Sequence, residues 1–192
     1  MIIKDWKKEV LTIPNMLSLF RLVLIPVYIS IYLNAKSNAD YYVAAGILAV
    51  SCLTDLIDGK IARHFNMIST VGKILDPFAD KATQFALIVC LAVNYNILWY
   101  IVGLFVVKET FQLVAGSINL HKGRMLKGAL LSGKVCTAVL FISLIFMIMV
   151  PNLEDTVVYS IAAVDAVFML ISLANYLFTY FGHRNKFQSL DQ

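Results

Sequence analysis

The chain has 192 residues, of which 60% are hydrophobic and 15% charged, with a formal net charge of +4. Soluble domains average about half apolar and a quarter charged residues, so this composition excludes an ordinary soluble protein and points to an integral membrane one. Each bilayer crossing consumes about 20 residues, so the length excludes a membrane domain joined to a sizeable soluble one, and residues 1–192 read as a single domain.

In chain order, the opening MIIKDWKKEVL sets Trp6 and Val10 among lysines. Residues 1–11 read either as a short helix lying in the membrane interface or as a disordered leader. Apolar runs long enough to cross a bilayer then occupy residues 14–34, 40–63, 73–94, 97–120, 130–150 and 156–181. They predict an all-α integral membrane protein with six transmembrane helices. The first run is long for a signal-peptide core and has no convincing small-residue cleavage site, so it reads as a retained helix. NYN at 94–96 and the break around Pro151 are punctuation between helices, and no internal repeat is present. Cys52, Cys90 and Cys136 lie singly in apolar runs, without disulfide or zinc spacing, and read as small buried hydrophobes.

The connections sort by charge. Lys4, Lys7, Lys8 and Arg21 lie before or early in the first run; Lys60, Arg63 and Lys73 lie between the second and third; Lys122, Arg124, Lys127 and Lys134 lie between the fourth and fifth; Arg184 and Lys186 follow the sixth. Under the positive-inside rule both termini and these connections are cytoplasmic, in a multi-pass protein of the cell membrane. The basic residues are spread over every such connection, which suits anionic membrane lipids and gives no support for nucleic-acid binding.

Between the second and third runs lies DLIDGKIARHFNMISTVGKILDPFAD, residues 55–80. Asp55 and Asp58 are three residues apart and Asp76 and Asp80 four apart, so each pair falls on one face of its helix. An ionised Asp at the centre of a lipid-facing helix costs about 2.5–3.5 kcal/mol, and four cost on the order of 10–14 kcal/mol. The carboxylates therefore face a polar, cytoplasm-facing cavity, and like charges converging there need cations between them. Oxygen ligands without histidine or cysteine favour hard divalent ions, Mg²⁺ or Mn²⁺. The competing account is a salt-bridge network with Lys60, Arg63, Lys73 and Lys81, which explains neither the repeated spacing nor Gly59 and Gly72. Those glycines suit close ligand approach or a relaxed turn, and equally tight helix packing. Arg63 at the mouth of its helix suits a diphosphate, or serves as an interfacial anchor.

The window D55-LI-D58-G59-KI-A62-R63, eight residues, then G72-KIL-D76-PFA-D80 resembles the CDP-alcohol phosphotransferase signature D-x2-D-G-x2-A-R-x8-G-x3-D-x3-D at every fixed position. The resemblance implies transfer of a phosphatidyl or similar group from a CDP-linked donor, CDP-diacylglycerol, to an acceptor hydroxyl, with release of CMP. It implies that Asp55, Asp58, Asp76 and Asp80 hold two divalent ions and that Asp80 also serves as general base. Gly59, Ala62, Arg63 and Ser69 would line the cytidine diphosphate pocket. A carboxylate touching a cation is a weakened base, so Asp80 either acts while loosely coordinated or mainly orients the hydroxyl.

IPNMLSLFR resembles the PN-x-L-[ST]-x-x-R segment of phosphatidylglycerophosphate and cardiolipin synthases in this family, which implies donor contacts for Asn15 and Ser18 and places Arg21 near the pocket. Helix capping for Asn15 or Ser18, and snorkelling for Arg21, are the plainer roles. VVKETFQ resembles their A-R-E segment with Lys108 where arginine is usual, and SGKVCTAV resembles their G-K-x-K-T with Cys136 at the second lysine. Lys108, Arg124 and Lys134 are the candidate acceptor-binding residues. Glycerol 3-phosphate is the favoured acceptor and phosphatidylglycerol, the acceptor of cardiolipin synthases, the near rival. A homodimer is implied by the family likeness.

Asp165 lies away from the window and reads as a polar interhelical contact, while His64, His121 and His183 read as interfacial residues. A divalent-cation transporter is the remote alternative, disfavoured because the ionisable groups crowd one end of the helices.

Overall fold

The computed structural model describes residues 12–64, 72–121, 124–126, 130–182 and 187–189. Among them lie six helices: α1 (Ile13–Leu33), α2 (Asn38–His64), α3 (Gly72–Asn94), α4 (Leu98–His121), α5 (Leu131–Met149) and α6 (Asp155–Gly182). Their ends fall within two residues of the apolar runs. The protein is an all-α membrane protein. Asn15–Leu33, Leu98–Asn119, Leu131–Met149 and Asp155–Tyr180 are long and apolar enough to cross a membrane among the described residues. Large apolar side chains cover their outer faces, with Tyr100 78% and Phe178 71% exposed, as expected of surfaces that meet lipid.

Local chemistry sets the helix ends. Thr12 is extended before α1, and Pro14 occupies its first turn, where a missing N–H is harmless. The Asn34 side-chain amide donates to the Ser30 carbonyl at 2.7 Å and closes α1. The Asp40 carboxylate caps the start of α2: the Ser37 N–H donates to Asp40 Oδ2 at 2.9 Å and the Ser37 hydroxyl at 3.0 Å. Asn152 adopts a left-handed φ of 62°, which asparagine tolerates, in the turn before α6.

A feature absent from the sequence reading is a short antiparallel ladder between β1 (Arg124–Leu126) and β2 (Phe187–Ser189), with Arg124 opposite Ser189. Three residues a side carry no usable alternation, so no pattern announces it.

The chain divides into two compact units. One draws on Met1–Cys90 and Ile148–Pro151, the other on Leu91–Met147 and Asn152–Gln192. In the first, Tyr28 stacks on Tyr32 (ring centroids 5.7 Å apart), which meets Tyr41 edge-on at 5.3 Å, tying α1 to α2. In the second, α5 and α6 are joined inside an apolar setting by the Ser143 hydroxyl, which donates to Asp165 Oδ1 at 2.9 Å. Asp165 is buried, so this interhelical bond meets part of the demand of a polar group removed from water. Cys90 and Cys136 are buried, Cys52 is partly so, and all three are free thiols.

Candidate active site

Helices α1 and α3 of the first unit build the described part of the site. On α3, Gly72, Asp76, Asp80 and Gln84 recur every fourth residue and so form one column along the helix. Pro77 lies inside α3, in its second turn, and contributes no N–H to the helical ladder. On α1, Asn15, Ser18 and Arg21 recur every third residue and are all buried, in a span that is otherwise apolar apart from Ser30 and the tyrosine hydroxyls.

The two columns meet. The Ser18 hydroxyl donates to Asp76 Oδ1 at 2.5 Å. One turn further along both helices, Arg21 Nη1 donates to Asp80 Oδ1 in an ion pair. Residue numbers rise together across these two ties, so α1 and α3 run parallel here, as two helices separated by one intervening crossing would. The Asp80 side chain is 46% exposed while that of Arg21 is 3% exposed. The carboxylate is thus reachable from outside, and the cation that compensates it belongs to the interior. Arg21 is buried, so it does not snorkel to the interface.

On α2, Asp55 and Asp58 lie in the last three turns by backbone position. Their side chains, and those of Gly59, Ala62 and Arg63, fall outside the described residues, as does Ser69 altogether. Among the described residues no three metal-ligating side chains cluster. Asp76 and Asp80 do fit a hard divalent ion, because they offer stacked carboxylate oxygens on one helix face with Asp80 open to approach. The network account draws its cations from Lys60, Arg63, Lys73 and Lys81; the side chains of the first three lie outside the described residues, and among the described residues α1 also supplies a cation to Asp80.

Sequence reading also missed Gln84, the next step of the α3 column. It is buried, and its Oε1 has no hydrogen-bond partner among the described residues. Its spacing from Asp80 was the available signal.

The second unit holds the candidate acceptor residues. Lys108 on α4 is buried and its Nζ lies 2.6 Å from Glu109 Oε1. Lys134 on α5 is exposed. Arg124 lies in β1, with its side chain outside the described residues. A second cluster surrounds Tyr176 of α6, which is buried. The ring lies against Gly133, whose absent Cβ would fall 2.8 Å from the Tyr176 oxygen. Tyr180 stacks on Tyr176 at 6.1 Å and meets Phe111 edge-on at 6.2 Å.

Comparison with known proteins supplies the context. A family model described as CDP-alcohol phosphatidyltransferase matches residues 11–178. A putative cardiolipin synthase of Mycobacterium bovis is 34% identical over 114 residues, 59% of this chain and 52% of that protein. A probable phosphatidylglycerophosphate synthase of Mycobacterium tuberculosis is 30% identical over 105 residues, 54% of this chain and 50% of that protein. A CDP-diacylglycerol--glycerol-3-phosphate 3-phosphatidyltransferase of Wigglesworthia glossinidia brevipalpis is 44% identical over 71 residues, 37% of this chain and 38% of that protein. The matches span about half or less of these relatives' lengths.

Proposed function

The chain belongs to the CDP-alcohol phosphatidyltransferase family, and from that premise we propose that it transfers the phosphatidyl group of CDP-diacylglycerol to a hydroxyl of a glycerol-bearing acceptor, releasing CMP, in phospholipid biosynthesis. The observation that carries this reading is the α3 column of Asp76 and Asp80, held from α1 by Ser18 and Arg21 and open at Asp80.

The acceptor oxygen attacks the phosphorus that bears the diacylglycerol, and the bond from that phosphorus to the bridging oxygen breaks, CMP leaving with the electron pair. Asp80 orients the acceptor hydroxyl and takes its proton. Asp55, Asp58, Asp76 and Asp80 are the residues that would hold two divalent ions, Mg²⁺ or Mn²⁺. Such ions, when bound, offset charge on the diphosphate and lower the pKa of a nearby hydroxyl. Arg63 offers a planar fork to the donor phosphates, and Gly59, Ala62 and Ser69 leave room for the nucleotide. Asn15, buried on α1, is assigned to the donor side. Ser18 and Arg21 serve the carboxylates directly. All six helices span the cell membrane in this reading, with the site and both termini cytoplasmic, and the protein acts as a homodimer.

For the acceptor, the Lys108–Glu109 pair favours phosphatidylglycerol. A buried ammonium committed to a carboxylate 2.6 Å away has little left to offer the phosphate of glycerol 3-phosphate. The second reading, glycerol 3-phosphate, is favoured by exposed Lys134 and by the basic connection around Arg124.

The test is CMP release by the purified protein in detergent with Mn²⁺ and CDP-diacylglycerol. Phosphatidylglycerol is expected to support turnover at least about tenfold better than glycerol 3-phosphate, the scale of one lost polar contact. Chelation by EDTA is expected to abolish release and added Mn²⁺ to restore it. Release with glycerol 3-phosphate alone would reverse the acceptor assignment, and none with either alcohol would remove the transferase reading.

A further inference from the structure

We propose that Arg21 is a positioning residue for the transfer reaction: from α1 it sets the orientation of the Asp80 carboxylate on α3. The assignment rests on the role given to Asp80 above.

Four observations carry it. First, the arginine is the fixed member of the pair. Its side chain is 3% exposed against 46% for Asp80, so the cation is part of the scaffold and the carboxylate is the part that meets a ligand. Second, Arg21 Nη1 takes Asp80 Oδ1. A charge-assisted contact from a buried guanidinium to one carboxylate oxygen favours one orientation of a group that, partly exposed, would otherwise sample several. Third, the tie is one of two. Ser18 holds Asp76 one turn earlier on both helices, so the pair of contacts defines how α1 sits against α3 in rotation and in translation. Fourth, Asn15, Ser18 and Arg21 make a buried polar stripe in an apolar span, and such a stripe persists where it has interior partners to satisfy.

Two other roles predict different kinetics. An arginine that bound the donor's phosphates would act on KM. An arginine that merely held the helices together would act on unfolding and on the amount of active protein, leaving the turnover of folded protein unchanged. Orientation of a reacting carboxylate acts on kcat, because misplacement on the order of 1 Å costs about 100-fold in rate.

The experiment compares the full chain with Arg21→Lys and Arg21→Gln in detergent. Four quantities are measured: kcat for CMP release, KM for CDP-diacylglycerol, Mn²⁺ affinity by calorimetry without donor, and thermal unfolding. Arg21→Lys keeps the charge and loses the fork. It is expected to unfold close to the parent temperature, with kcat about tenfold lower and both KM and Mn²⁺ affinity within about threefold of the parent. Arg21→Gln is expected to lose about 100-fold in kcat, so that lysine rescues part of the loss. If Arg21→Gln does not fold, the lysine variant carries the test alone.

A raised KM with kcat retained would make Arg21 a donor ligand and overturn the assignment. So would a fall in Mn²⁺ affinity that tracks kcat and is reversed by excess Mn²⁺, or an unchanged kcat in Arg21→Lys. A parent protein that binds Mn²⁺ yet releases no CMP with any acceptor would remove the proposed function and this role together. A turning-over parent with kinetically normal variants would remove this role alone.

Discussion

An Asp80→Asn protein is expected to release CMP at least about 10²–10⁴-fold more slowly than the parent, the range of a lost general base. It is also expected to be less stable, and the two effects have separable causes. Asparagine keeps the shape and an oxygen that Arg21 can donate to, so the hydrogen bond survives in form. The negative charge does not survive, and Arg21, a buried cation, loses the counter-charge that Asp80 supplies. Removing one partner from a fully buried pair costs about 3–5 kcal/mol. The exposure of Asp80 lets water share that burden, which brings the expected loss to about 1–3 kcal/mol, the penalty for an unsatisfied buried group. Thermal unfolding in detergent reads the second effect and CMP release by the folded fraction the first. An Asp80→Asn protein that kept most of its turnover would take the proton-accepting role away from this residue. An unchanged unfolding temperature would mean that the ion pair with Arg21 contributes nothing to the fold.

That contact was the part of the site least legible in the sequence. The helices themselves were legible because a bilayer demands apolar runs of a set length, and polar loops must separate them. The aspartate column was legible because residues four apart share a helix face whatever surrounds them. Which helix faces that column is a different kind of fact. Ser18 and Asp76 are 58 residues apart and Arg21 and Asp80 are 59 apart, and no local period connects them. Half of the answer was nonetheless present, because polar residues at 15, 18 and 21 in an apolar span must face protein and not lipid. Taken one at a time, as donor contacts or anchors, the three residues do not announce the stripe.

Lys108 shows a second limit. A count of basic residues treats each as an available cation, whereas Lys108 is compensated by the very next residue. Neighbours in a helix point roughly 100° apart and are not expected to pair, since side-chain pairs ordinarily form three or four residues apart. A long flexible lysine can curl back to reach its neighbour, and the burial of Lys108 beside a largely covered Glu109 favours that pairing. Chemical type is legible from the residue itself, whereas its pairing with a neighbour is not.

Gly133 illustrates a residue whose importance is an absence, and a loss of stability as large as that of Asp80→Asn is expected there. In the sequence it is one position of SGKVCTAV. In the fold it is the surface on which Tyr176 lies. A Cβ at Gly133 would fall 2.8 Å from the Tyr176 oxygen, 3.0 Å from Cε2 and 3.3 Å from Cζ. The ring cannot easily give way, because it is buried and its face is held by Tyr180. Gly133→Ala should therefore destabilise the protein by about 1–3 kcal/mol, the usual cost of overpacking. By contrast, Gly46 and Gly103 have nothing within 4 Å of the corresponding position. Alanine at either should be neutral or slightly stabilising, since it removes the roughly 1 kcal/mol disadvantage of glycine in a helix. Unfolding in detergent of the three alanine variants provides the comparison. Adding Tyr176→Phe to Gly133→Ala removes the nearest clashing atom and leaves Cε2, so the double variant should recover part of the loss, with a coupling of at least about 0.5 kcal/mol. Strict additivity of the two changes, or a Gly133→Ala protein as stable as Gly46→Ala, would mean that Tyr176 moves aside freely and that the close approach constrains nothing.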